Sequence, residues 1–176
     1  MRKVLAGVLP LALLAAALVT PASANRGERA GKATGAARFT VTAGQDERLR
    51  VRAVDGGPAA QDRGKIEYRN ATAGFSYRAH LACVDVEGAT ARFGYVIPDR
   101  EGVPASIRGL GVVFQVVDNG KPGAGKDAVG YVSGPAAIAT ACDTTTVGAA
   151  QPIASGNLRV KQASATQART RRHRDR

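Results

Sequence analysis

FSYRAHLACVDVEGATARFGYVI, residues 75–97, is the stretch whose reading decides the fold class. Phe75, Tyr77, Ala79, Leu81 and Cys83 alternate with Ser76, Arg78, His80 and Ala82. Side chains point to opposite faces along a strand, so one face is apolar and the other largely polar. Ala89, Ala91, Phe93, Tyr95 and Ile97 repeat the pattern. Two such runs around Val86-Glu87-Gly88 predict one long β-hairpin, with a loop of three residues ending on Gly88, where a positive φ is wanted. The expected register sets Leu81 opposite Phe93, Cys83 opposite Ala91 and Ala79 opposite Tyr95. A Glu87-Gly88 loop mixes the faces, and a loop over 87–89 misplaces the glycine.

Working outward, short alternating runs recur. Phe39, Val41 and Ala43 predict one strand, Leu49, Val51 and Ala53 a second, and Ile66 and Tyr68 a third. LGVVFQVV (110–117) is apolar nearly throughout and is expected to be central and covered on both faces. AVGYV (128–132) returns, AAIATAC (136–142) is short, and Leu158 with Val160 marks a last strand. DGGPAAQDRG, PDREGVPASIRG and DNGKPGAGKD read as loops. No amphipathic helix follows the N-terminal run. The class is all-β: a single antiparallel barrel or sandwich of about 8–9 short strands. A closed barrel is favoured, because the first and last strands are short and charged outside.

Residues 1–24 have the make-up of a cleaved secretory signal peptide. Arg2 and Lys3 precede an apolar run, Val4 to Val19, and Ala22-Ser23-Ala24 supplies a small-residue cleavage site. The run is shorter than the roughly 20 residues a spanning helix needs, and no second one follows, so no transmembrane segment is expected after cleavage. Residues 25–36 read as a flexible basic leader, 37–161 as the β-domain and 162–176 as a disordered basic tail. A secreted chain with two cysteines, Cys83 and Cys142, is expected to join them in one disulfide. A zinc site would need two more ligands, and only His80 and His173 exist; a redox pair would need C-x-x-C.

The formal charge of +11 is unevenly spread. The signal peptide carries +2, the leader +2, the tail +4 and the β-domain +3. Candidate polyanion contacts are therefore Arg169, Arg171, Arg172 and Arg174 in the tail, with Arg48, Arg50, Arg52 and Arg78 in the domain. Lys65, Arg69 and His80 would join them if their strands are neighbours. The plainer reading of the domain arginines is an ordinary solvated sheet face. No aromatic residue is interleaved there to stack bases, so specific nucleic-acid readout is not expected. The expected partners are anionic cell-wall or extracellular polymers.

No G-x-S-x-G, H-E-x-x-H or P-loop occurs. His80 is the one histidine of the domain, and Ser76 lies about 13 Å along the same strand face. Asp85 and Glu87 read as a solvated turn rather than an acid–base pair. Asp118, Asn119 and Asp127 do not match the spacing of a calcium loop. No catalytic residues, cofactor or metal ligands are expected.

With Cys83, FQVVDNGKPGAGKD (114–127) and NLRVK (157–161) in view, the chain resembles a group of uncharacterised secreted bacterial β-domains of the post-choice-of-anchor kind. These carry a cysteine in a central strand, an F-x-V-x-D-N-G-x-P-G-like turn and a second cysteine after it. The resemblance covers about Phe39 to Lys161. It implies the fold and the disulfide and no activity. The expected function is a secreted, non-enzymatic β-domain that adheres to anionic polymers through basic ends. The alternatives are a small-ligand carrier lined by Phe39, Tyr68, Tyr77, Phe93 and Tyr95, or, with less support, a secreted hydrolase built around His80.

Overall fold

The computed structural model describes residues 30–57, 62–120 and 126–163. The expected signal peptide, most of the expected tail and residues 25–29 of the expected leader lie outside the described residues. Ten strands form two five-stranded antiparallel sheets. The first four are β1 (Gly31–Phe39), β2 (Glu47–Asp55), β3 (Arg63–Asn70) and β4 (Phe75–His80). The next five are β5 (Cys83–Glu87), β6 (Thr90–Val96), β7 (Gly111–Val117), β8 (Ala128–Gly134) and β9 (Gln151–Pro152). The last is β10 (Ser155–Gln162). The sheet orders are β10-β1-β2-β3-β4 and β5-β6-β7-β8-β9. Each is a meander, except that β10 returns to the first sheet beside β1. The fold is thus an all-β sandwich, and the favoured barrel closure does not occur: the sheets pair within themselves and meet face to face.

The predicted long hairpin is two pieces. β4 belongs to the first sheet and β5 to the second, and the chain crosses at Leu81-Ala82. Leu81 still donates its amide to Gly64 of the first sheet, at 3.1 Å, while Ala82 donates to Gly94 of the second, at 2.8 Å. The inward side chains change from odd to even numbers there: Tyr77 and Leu81 on one side, Val84 and Val86 on the other. The true hairpin is β5–β6 with a two-residue Gly88-Ala89 turn, which pairs Cys83 with Gly94, Val84 with Phe93 and Val86 with Ala91. The expected register is therefore wrong, although Gly88 does take a positive φ, 58°. The physical cause is that alternation continues in phase through Cys83, whereas Cys83 faces away from the core.

Strand order also begins earlier than expected. Gly31 to Arg38 form most of β1, so residues 31–36 of the predicted leader are paired with β2 and β10. The inward residues there are Gly31, Ala33 and Ala37, too small to register as hydrophobic alternation. Val41 lies in the turn after β1. The strand over 110–117 is the middle one of its sheet and covered on both faces, as its composition required. Residues 136–140 are a 3-10 turn, not a strand.

That turn explains the second cover. Ala136–Thr140 lies on the outer face of the second sheet, over Gly94, Gly111 and Cys83. A Cβ on Gly94 would run into the Ala139 carbonyl and the Cys83 sulfur. Cys83 and Cys142 are joined, with Cα atoms 5.9 Å apart, and the bridge clamps the turn to the sheet. Between the sheets, Phe114 is the hub. It packs against Phe39 from one sheet at 6.2 Å and against Phe93, Tyr95 and Tyr131 of its own sheet at 5.8, 6.2 and 5.1 Å.

Two of the four edge strands, β5 and β10, are covered by carboxylates. On the free side of β5, the Val84 amide donates to Asp62 Oδ2 at 2.8 Å and the Val86 amide to Asp55 Oδ2 at 3.1 Å. On the free side of β10, the Leu158 amide donates to Asp127 Oδ2 at 2.7 Å and the Val160 amide to Asp118 Oδ2 at 2.8 Å. Each pair of aspartates comes from a connection of the opposite sheet, so the caps also tie the sheets together.

Replacing Cys83 and Cys142 together by alanine should cost about 4 kcal/mol in urea unfolding, from the loop the bridge closes across a separation of 59 residues. Phe114→Ala should cost about 3–5 kcal/mol, because the cavity would sit between the two sheets.

Candidate functional site

The outward face of the first sheet carries the side chains of even-numbered residues in β1, β2 and β4 and odd-numbered residues in β3 and β10. Strand register arranges them in rows. Arg38, Arg48, Arg69 and Ser76 form one; Ala36, Arg50, Glu67 and Arg78 the next. Arg159, Thr34, Arg52, Lys65 and His80 form the third, and Lys161, Lys32, Val54 and Arg63 the fourth. Neighbours across a row are roughly 4.8 Å apart and rows roughly 6.8 Å apart. The eleven lysines and arginines in these rows are all exposed. The side chains of Arg50 and Arg78 retain 72% and 76% of their exposure.

Among the described residues, two carboxylates answer this charge on the face. Glu67 sits between Arg50 and Arg78, at 4.0 and 3.5 Å. Asp46, at the edge, meets Arg38 at 2.7 Å and Arg48 at 3.8 Å. The Arg38 hydrogen bond pulls the Asp46 carboxyl below its usual range. Arg52, Lys65, Arg69, Arg159 and Lys161 make no ion pair among the described residues. The structure thus brings together Arg48, Arg50, Arg52 and Arg78 with Lys65, Arg69 and His80, and adds Lys32, Arg38, Arg63, Arg159 and Lys161, which the sequence reading had scattered among leader, first strand, loop and last strand. The tail arginines Arg169, Arg171, Arg172 and Arg174 lie outside the described residues.

The modest charge of the domain hides this polarity because its acids are placed elsewhere. Glu47 and Asp127 are fully buried, Asp55 nearly so, and Asp62 and Asp118 cap strand edges. Asp85 lies on the other sheet's outer face beside Arg92, at 3.3 Å. Burial, chiefly, holds the Asp55 and Asp62 carboxyls above their ordinary value, and the nearby Asp85 charge pushes the same way.

The polar residues weighed for chemistry are separated. His80 is exposed at the end of a cationic row, beside Lys65. Cys83 is bonded to Cys142 on the other sheet. Asp118 and Asp127 direct their oxygens at backbone amides: Gly120 and Val160 for the first, Asn119 and Leu158 for the second. Among the described residues, no three histidine, cysteine or acidic side chains converge as metal ligands do.

At one end of the sandwich lies a half-open cleft of about 160 Å³. Phe75 and Tyr131 are its half-buried rings, and Tyr68, Tyr77, Tyr95 and Phe114 border it while buried against one another. Of the residues expected to line an interior, Tyr68, Tyr77 and Tyr95 do so; Phe39 and Phe93 are packed solid in the core. Burial raises the pKa of all four tyrosines.

Comparisons with protein-family models, with curated proteins and with solved structures give no match for this chain. No helix among the described residues is long and apolar enough to cross a membrane.

The folded state holds the protons of Asp55 and Asp62 more tightly than the unfolded chain does. Their contribution to stability is full below the ordinary carboxyl value and is lost as pH rises through the raised folded values. The stability advantage of the native chain over Asp62→Asn should therefore grow as pH falls from about 7 to about 4. Urea midpoints of the two proteins across that range measure it, and a shrinking advantage would contradict the assignment.

Proposed function

We infer that this chain is a secreted, non-enzymatic module that adheres to an anionic polymer of the cell surface or extracellular space through the outer face of its first sheet. The observation that carries this reading is the ratio on that face: eleven exposed cations to the two carboxylates of Glu67 and Asp46. Many of those cations are free to meet a ligand's charges without breaking an ion pair. A bound polyanion releases the counterions such a field condenses, so affinity is gained over the whole array rather than at one residue. Among the described residues the face carries no aromatic side chain, which suits sequence-independent adhesion to sulfate, phosphate or carboxylate groups spaced along a chain. The predicted signal peptide supports the compartment, and the basic tail is a second contact in the same mechanism. A module of the secreted bacterial β-domain kind, as the resemblance implies, fits this role.

The test is retention on an anionic polysaccharide, with heparin as the probe, across salt concentrations. Affinity should fall linearly on a log–log plot. Neutralising Arg52, Lys65 and Arg159 to glutamine should weaken binding on the order of a hundredfold at low salt, at roughly 1 kcal/mol per cation, with the unfolding midpoint nearly unchanged. Deleting residues 164–176 should weaken it less. Binding that survives the sheet variants and vanishes with the tail would overturn the reading.

A further inference from the structure

We propose that the free edge of β4 accepts a strand from another protein, an extended peptide in which acidic residues alternate with apolar ones. The site uses the backbone of one sheet edge and does not depend on the adhesion inferred for the sheet face.

The first observation is what the other edge strands have and β4 lacks. β5 and β10 are capped by aspartates. β9 is two residues long and ends on Pro152, which has no amide to donate. β4 has six residues, Phe75–His80, without proline or glycine, and among the described residues no carboxylate caps its backbone. Register shows which groups are open. The Leu81 amide just beyond β4 bonds the Gly64 carbonyl, so the odd-numbered residues pair with β3. The amides of Ser76, Arg78 and His80 therefore point out of the sheet, and none of them donates a hydrogen bond among the described residues. Donors at every second residue of an edge are what strand addition uses.

The second is charge. Ser76, Arg78 and His80 are exposed on the cationic face, and Lys65 stands opposite His80. Arg100, from the loop after β6, reaches the edge itself and donates to the outward Ser76 carbonyl at 3.3 Å. Arg78 and Arg100 flank a half-open hollow of about 240 Å³, whose other walls are Glu67, Ser76 and Tyr77. Glu67 is shared between Arg50 and Arg78; Arg100 makes no ion pair among the described residues. A second copy of this chain would bring its own cationic face alongside, and centred on this row it would set Arg78 against Arg78. Like charges directly opposite are destabilising, and a carboxylate opposite Arg78 reverses the sign. A peptide amide can take over the Ser76 carbonyl, which frees Arg100 for a second carboxylate.

The third is the inner side of β4. Phe75 and Ala79 are only half buried there. An added strand lies roughly 4.8 Å away, and apolar residues at its intervening positions would cover both.

The experiment uses the full folded chain, isotope-labelled for NMR, and a short blocked peptide of alternating glutamate and valine at physiological salt. The peptide should bind saturably with a submillimolar Kd, and exchange of the Ser76, Arg78 and His80 amides should slow about tenfold. Methylating the alternate amide nitrogens on the peptide's pairing edge keeps every charge and should weaken binding about tenfold. His80→Pro removes one outward amide and leaves the pairing with β3 intact; it should weaken binding about tenfold relative to His80→Thr. Arg78→Gln should weaken it severalfold, which keeps the proposal testable if His80→Pro fails to fold. The glutamine variants of Arg52, Lys65 and Arg159 should retain peptide binding within about threefold, so this edge and the polyanion face can fail separately. Equal binding of the methylated peptide would mean adhesion by charge alone and would overturn the proposal. No saturable binding, or a chain that already dimerises through these amides, would overturn it as well.

Discussion

Backbone amides on the free edge of a sheet must find acceptors, and this sandwich meets that demand with aspartates. Asp55 and Asp62 reach from the first sheet to the edge of β5, and Asp118 and Asp127 reach from the second sheet to the edge of β10. Leaving such a donor buried and unbonded costs about 1–3 kcal/mol. An open edge would also invite pairing with another chain. The reciprocal arrangement closes these two of the four edges and fastens one sheet to the other without joining them into a barrel.

This use of carboxylates has an electrostatic consequence. Five of the domain's acids, the four caps and Glu47, are held inside or at the seams. Its cations are mostly on the outward side of one sheet. A chain segment with nearly balanced charge therefore folds into a body with one strongly positive face and a buried negative centre near one end. The proposed anionic polymer for the face follows from that separation.

The crossing at Leu81-Ala82 sets the other half of the architecture. Because the chain changes sheets there, Cys83 emerges on the outer face of the second sheet, next to Gly94. Only a position without a Cβ lets the Ala136–Thr140 turn lie that close, and the bridge to Cys142 then holds it. The middle strand β7 gains its second cover in this way, which is why its sequence is apolar on both sides.

Much of this was legible from local pattern. Period-two alternation gave the strands from Leu49 to Ile97, the continuous run at 111–117 gave the central strand, and two cysteines behind an expected signal peptide gave the bridge. Those signals are properties of neighbouring residues, set by side-chain direction and burial. The strand over Gly31–Arg38 left no such mark, since alanine and glycine pack inward without looking hydrophobic. The hairpin register failed for a related reason: alternation shows which residues share a face, and not where the chain leaves one sheet for another. The cationic face and the half-open cleft depend on strand order, which brings Lys32, Arg159 and Lys161 beside Arg52 and Lys65, and Glu47 behind Tyr68 and Tyr131. Sequence alone determined the all-β class, the bridge and the inventory of charge. Tertiary structure decided where each charge came to rest, because that is fixed by pairing between segments far apart in the chain.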